Sequence, residues 1–237
     1  MRDIALHKEI KIVLSNRFGG VSKKPYESLN LGLHVGDNGS CVQKNRDIFA
    51  SHFNLDSDRL IFMNQIHSDK VIYVKDKGEF TCDGVITQDR NLALCAMVAD
   101  CVPIVLYDSK NRVSSAIHAG REGAFLNIVL KTLQKMREDF NSQSQDVFVY
   151  IGPHIKKCCY EINNEVLEDA KKRFGFAVDK RGDRCFLDLE AIVLKQLNDC
   201  GVLHTKNENI CTCCDNDYFS YRRDRVTGRF AVGVKIL

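Results

Sequence analysis

Three residues that could bind a metal or act as a nucleophile stand at the ends of apolar runs: His67 in FMNQIHSDKVIYV, Cys101 in NLALCAMVADCVPIVLYD and His118 in VSSAIHAGREG. Two imidazoles and one thiolate are a recognised ligand set for Zn²⁺, with one position left for water or substrate. Soft thiolate with imidazole also accepts copper. The spacings of 34 and 17 residues follow no local metal motif, so this chemistry requires a fold that gathers the three. The same residues allow a second chemistry, since a Cys with a neighbouring His is the minimum for a thiol nucleophile. Taken singly, each has a plainer explanation. A Cys in an apolar run packs as a small buried hydrophobe, and a His beside a strand end is ordinarily a hydrogen-bonded structural residue.

Other polar clusters lie nearby. Asp100 precedes Cys101 and could move protons, although strand alternation would aim it away from the thiol. His118-Ala-Gly leads into a helix, whose first N–H groups favour an anion, while Glu122 suits the helix dipole and repels a phosphate. DYFSYRRDRVTGRF places Arg222, Arg223, Arg225 and Arg229 among aromatic residues. If Ser220 to Arg223 is extended, Arg222 and Arg223 point to opposite faces, one toward a site and the other toward Asp224 or solvent. The runs CC (158–159) and CTCC (211–214) raise the question of a second metal. A zinc ribbon needs two C-x-x-C pairs and only Cys211 with Cys214 supplies one, so reduced core and loop thiols are expected there.

The elements that must position these groups follow from periodicity. EIKIVLS (9–15) alternates as a strand, and CVQKNRDIFASHF (41–53) has helical spacing. Between them, residues 16–39 are irregular and rich in Gly and Asn, unusual in a compact domain unless the segment has a role. LIFM, KVIYV, CDGVIT, LALCAMV, PIVLY and RVSSAIH predict strand after strand over 61–118. EGAFLNIVLKTLQKMREDF (122–140) reads as one amphipathic helix, with Phe125, Ile128, Val129, Leu133 and Met136 on one face. DVFVYIGP (146–153) is a strand, 161–174 and 188–199 are helices with Asp188 as an N-cap, and RFAVGVKIL closes the chain as a strand. In NLALCAMVADCVPIVLYD, Pro103 is expected to end one strand pairing and let the chain turn. Long strand runs mixed with three or four helices indicate α+β or layered α/β.

The 237 residues, 44% hydrophobic and 27% charged, suit a globular protein able to bury a full core. There is no low-complexity segment or linker, so a single domain over 1–237 is expected. A net charge of +3 gives no argument for nucleic acid or a membrane surface. The first residues carry Arg2, Asp3, Lys8, Glu9 and Lys11, which leaves no apolar core for a signal peptide. A cytoplasmic location is expected, and with it reduced thiols for the eleven cysteines.

The segments SNRFGGVSKKPYESLNLGLHVGD, NQIH, DGVIT, VADCVPIVLYD, IHAG, IGPHIKKCCYEI and CTCCDNDYFSYRRDRVTGR, in this order, resemble the YfiH-like, laccase-domain family over about residues 15–232. The resemblance implies a four-layer α/β/β/α sandwich with mixed sheets and a single zinc, with copper possible, on His67, Cys101 and His118. It also implies purine nucleoside phosphorolysis with adenosine deaminase side activity, the partners being a purine nucleoside and inorganic phosphate. On that reading His67, Cys101, His118 and Asp100 are catalytic candidates. Arg222 or Arg223 would hold phosphate, because guanidinium can grip two oxygens. Ser28, Asn30, Arg46, Asn64 and Gln65 would line the substrate site. Four rival readings stand beside it: a copper-dependent polyphenol oxidase, a Cys–His thiol hydrolase, a role in correcting cell-wall precursors and a non-enzymatic, metal-stabilised scaffold that regulates a partner. The family pattern HAG-Trp-Arg-Gly is altered here to HAG-Arg121-Glu122-Gly123, which removes an aromatic wall near the second His.

Overall fold

The computed structural model describes residues 1–237. Two six-stranded mixed sheets dominate it. The first runs, edge to edge, Arg2–Ile4, Ile10–Leu14, Phe230–Ile236, Ala93–Val98, Leu60–Asn64 and Phe80–Thr81. The second runs His204–Asn207, Val147–Ile151, Val102–Asp108, Val113–Ala119, Gly84–Thr87 and Val71–Tyr73. The central strands of both sheets are buried along their whole length, as expected of strands covered on both faces.

Three apolar cores separate four layers. Ile12, Leu14, Val98, Val232, Val105, Tyr107 and Ala116 interdigitate between the two sheets. On the outer face of the second sheet, Ile104, Leu106 and Ile117 meet Phe125, Val129, Leu133 and Ile192 of the helices. On the outer face of the first sheet, Val13, Cys95 and Ala231 meet Phe49 and Phe53 at the end of the helix Gly39–Ser51. The expected α/β/β/α layering with mixed sheets is therefore what forms, because each sheet has two apolar faces to cover.

Local chemistry explains the departures from periodicity. The single helix expected over 122–140 is two, Arg121–Phe125 and Ile128–Phe140. Between them Asn127 adopts φ 62° and its side chain accepts from the Leu130 N–H, capping the second helix. The helix expected over 161–174 begins at Asn164, and Glu161–Ile162 instead joins Arg184–Leu187 and Val178–Arg181 in a small third sheet. Pro103 does not end a pairing: it lies inside Val102–Asp108, opposite His118. Proline is tolerated so near a strand start, where its missing N–H is not needed.

The important connection is Ala99-Asp100-Cys101. Ala93–Val98 belongs to the first sheet and Val102–Asp108 to the second, so these three residues carry the chain across the sandwich. This is why an apolar run is broken by two polar residues at that point.

Candidate metal centre

The crossing turn is held by Asp100, which sits at φ 97°, a conformation that costs a non-glycine residue roughly 1–3 kcal/mol. Its carboxylate offsets that strain by accepting from the Thr212 hydroxyl at 2.7 Å and the Arg222 N–H at 2.6 Å, and its carbonyl accepts from the Ile155 N–H at 2.9 Å. Each carboxylate oxygen is engaged by one of these partners, so Asp100 anchors the turn.

His67 lies in the loop after Leu60–Asn64, at φ 59°, and His118 near the end of Val113–Ala119. His67 Nε2 is 3.9 Å from Cys101 Sγ, and the two imidazoles meet edge to face at 4.9 Å between ring centroids. A ligand atom from each of the three residues lies within 4.8 Å of the other two. His118 is almost fully buried, Cys101 half-buried and His67 exposed, which leaves one open side.

Asp83 organises the set, and sequence reasoning missed it. The residue is fully buried at the start of the DGVIT strand. Its carboxylate accepts from the N–H groups of Ile66, His67 and Ser68 at 3.3, 3.0 and 2.7 Å, and from the Ser68 hydroxyl at 2.8 Å. It also accepts from His118 Nδ1 at 2.8 Å, which directs Nε2 toward Cys101 and His67. Burial opposes its charge, but the His118 and Ser68 hydrogen bonds prevail and hold the carboxyl at about 2. Burial pushes His118 below its ordinary value, with the Asp83 hydrogen bond acting against it. The pair is thus a carboxylate accepting from a neutral imidazole, the state a metal ligand needs. Burial, with Asp100 beside it, pushes the Cys101 thiol up to about 12, so a thiolate at neutral pH requires a cation at this position. The signal available in the sequence was an Asp immediately before a short apolar strand, which looks like a turn residue.

Gly120 closes the centre. A Cβ there would lie 2.7 Å from His67 Cδ2 and 3.2 Å from Cys101 Sγ. Gly120→Ala is therefore expected to displace His67 and weaken metal binding by about 10–100-fold, the range seen when support of a ligand is disturbed. Competition against a chelating dye would measure it, with circular dichroism to show the fold intact.

The centre opens into a cleft of about 740 Å³. Of the substrate candidates, Arg46, Asn64 and Gln65 line it. Gln65 exchanges hydrogen bonds with the Met97 backbone, and the Arg46 guanidinium lies 4.2 Å from the Phe62 ring centroid while donating to the Leu31 carbonyl. Ser28 and Asn30 sit behind it, bonded to the backbone of the 17–32 segment. Asn30 also accepts from the Arg229 N–H, bracing a cleft-lining residue that the sequence reading did not select. Arg222 and Arg223 are not free. Tyr221–Asp224 is a helical turn, where an extended segment was considered. Arg222 donates to the Cys159 and Glu161 carbonyls, and Arg223 to the carbonyls of Thr212, Cys213, Asp215 and Tyr218 and to Asp224.

The expectation of unrelated thiols at CC and CTCC is also corrected. Cys158, Cys159, Cys211 and Cys214 converge at the surface, their sulfurs all within 4.8 Å of one another. The C-x-x-C template missed them because one half of the set is a vicinal pair.

The profile of the family described as multi-copper polyphenol oxidoreductase laccase matches residues 11–236. A Corynebacterium glutamicum protein named purine nucleoside phosphorylase is 36% identical over 95% of this chain and 94% of its own length. Among solved structures, the Bacillus licheniformis protein YfiH is 28% identical with a TM-score of 0.91, covering 96% of this chain and 93% of its own. YlmD from Geobacillus stearothermophilus is likewise 28% identical at a TM-score of 0.91, covering 97% and 92%.

These findings correct the expectation of a zinc-dependent purine nucleoside phosphorylase with deaminase activity. The profile spanning the chain is that of a copper oxidoreductase, and the set of one thiolate and two imidazoles that faces the cleft does not select zinc over copper by donor type. The two arginines assigned to phosphate are committed to backbone carbonyls. With the fold, the ordered motifs and the near full-length match in agreement, the chain belongs to the YfiH-like family of multi-copper polyphenol oxidoreductase laccases.

Proposed function

We propose that the protein is a laccase-type oxidoreductase that binds copper at His67, Cys101 and His118 and oxidises small phenolic molecules in the adjoining cleft. The observation that carries this reading is the convergence of one thiolate and two imidazoles, a donor set suited to copper, beside an open cleft. The three side chains make one donor set, which would hold a single ion. When bound, copper would supply a one-electron acceptor for the substrate, with dioxygen as the final oxidant.

The residues of the chain account for binding and for the proton. Phe62, Met97 and Ile66 offer apolar surface for an aromatic ring, and Arg46 and Arg229 bring positive charge to the same cleft. Neither guanidinium is paired with a carboxylate; they donate to backbone carbonyls of Leu31, Thr227 and Gly228. Burial lowers the pKa of both, which marks them as cations held in a partly desolvated cleft. Such a field favours phenolate over phenol, so the hydroxyl proton leaves to solvent before or with the electron. Burial keeps His118 neutral, and the Asp83 carboxylate holds its ring oriented throughout.

Copper-loaded protein is expected to oxidise phenolic substrates, followed by absorbance, and Cys101→Ala is expected to lose this activity at least a hundredfold. Absence of phenol oxidation by protein shown to contain copper would overturn the reading. So would phosphate-dependent release of free base from nucleosides with no oxidation of phenols.

A further inference from the structure

We propose that Cys158, Cys159, Cys211 and Cys214 bind one tetrahedral zinc ion, a structural site separate from the His67–Cys101–His118 centre, which staples together the two loops behind the Cys101 turn. Two tight turns present the sulfurs. In the first, the Cys159 and Tyr160 N–H groups return to the Lys156 carbonyl at 2.9 and 3.0 Å. In the second, the Cys214 and Asp215 N–H groups return to the Cys211 carbonyl at 3.2 and 2.9 Å. The Lys156 N–H points at Cys211 Sγ, 3.5 Å away, an arrangement that supports a thiolate.

The sulfur separations approach the edge lengths of a coordination tetrahedron. Cys158 Sγ lies 3.5 Å from Cys211 and 3.7 Å from Cys214, and Cys159 lies 3.3 Å from Cys214. Zinc–sulfur bonds of about 2.3 Å give tetrahedral S···S edges of about 3.8 Å, close to these three separations. Four sulfurs leave no open position, the mark of a structural site. Packing does not account for the cluster. Cys158 and Cys214 are exposed, whereas Cys82, Cys95 and Cys185 are buried as core thiols.

Charge and connectivity agree. A divalent ion with four thiolates carries two negative charges. Arg222, which forms no ion pair, donates to the carbonyl of Cys159, and Arg223 donates to those of Thr212, Cys213 and Asp215 in the opposite turn. Thr212, between two of the sulfurs in sequence, donates its hydroxyl to Asp100. The staple thus fixes the loop that anchors the strained residue before Cys101.

The test is zinc content per chain after loading with zinc alone and removal of excess, in wild type, His67→Ala, Cys158→Ser, Cys214→Ser and Cys213→Ser. Zinc is expected to remain in His67→Ala and in Cys213→Ser, whose thiol lies outside the cluster, and to drop by one per chain in Cys158→Ser and Cys214→Ser. Cobalt substitution of the unmutated cluster, in the His67→Ala protein, should give the intense thiolate-to-cobalt absorption of a tetrathiolate and needs no cluster variant to fold. Zinc-free His67→Ala protein, a cobalt spectrum without tetrathiolate character, or iron in place of zinc would overturn the proposal. None of these readouts involves phenol oxidation, so failure of the oxidase reading would leave the zinc result distinguishable.

Discussion

Asp83→Ala is expected to cost about 3–5 kcal/mol of stability and to abolish metal binding at the His67–Cys101–His118 centre. The magnitude follows from removing one partner of a buried, charge-assisted network, which strands the others. Five donors end on this carboxylate, three of them backbone N–H groups from the loop that carries His67. Without it these loop N–H groups lose their acceptor and His118 loses the bond that orients it. Urea denaturation would give the stability change, and metal content the second effect. Asp83→Asn keeps the shape but replaces one acceptor oxygen by an amide, so it should recover part of the stability and little of the metal affinity. The same carboxyl gives a pH signature in metal-free protein. Its folded pKa, about 2, lies below the ordinary 3.8, so its contribution is fully present above pH 4 and is lost as pH falls toward 2. In the alanine variant that portion of the acid sensitivity should be missing.

His118→Ala and His67→Ala are expected to separate stability from metal binding. Both remove one ligand, so both should lose the metal of this centre and, with it, turnover. They differ in burial. His118 is 3% exposed and its ring packs beneath the turn, so truncation opens a cavity and leaves Asp83 with a buried charge missing its imidazole partner. A loss of roughly 2–4 kcal/mol is expected. The His67 ring is exposed and its side chain holds no bond in the Asp83 network, which reaches it only through the backbone N–H. His67→Ala should change stability by less than about 1 kcal/mol while losing the metal just as fully. Equal destabilisation of the two variants would show that the network is not organised around Asp83 as described.

The large features of this architecture are readable in the sequence because they rest on burial. LALCAMV, PIVLY and RVSSAIH are continuous apolar runs, and they form fully buried central strands. Features that rest on a single polar residue were less legible. The break at Asn127 depends on one left-handed residue and one side-chain cap inside an otherwise helical pattern. The edge strand His204–Asn207 is almost wholly exposed and has no apolar alternation to announce it. At the site, His67, Cys101 and His118 could be selected by residue type, since few side chains bind metals. Asp83, Arg229 and the pairing of Cys158–Cys159 with Cys211 and Cys214 could not, because their roles exist only once distant loops meet. The polar interruption at Asp100-Cys101 combines both cases. Cys101 is legible as a ligand, whereas Asp100 has meaning only through Thr212 and Arg222 on the far side of the turn.

The central claim is that one metal is held jointly by His67, Cys101 and His118, and copper-edge X-ray absorption of protein loaded with one equivalent of copper tests it most directly. The expected first shell contains two imidazole nitrogens and one sulfur, with the sulfur contribution absent in Cys101→Ala. A shell made only of sulfur would place the copper in the cysteine cluster. A shell unchanged in Cys101→Ala would contradict the assignment of this centre.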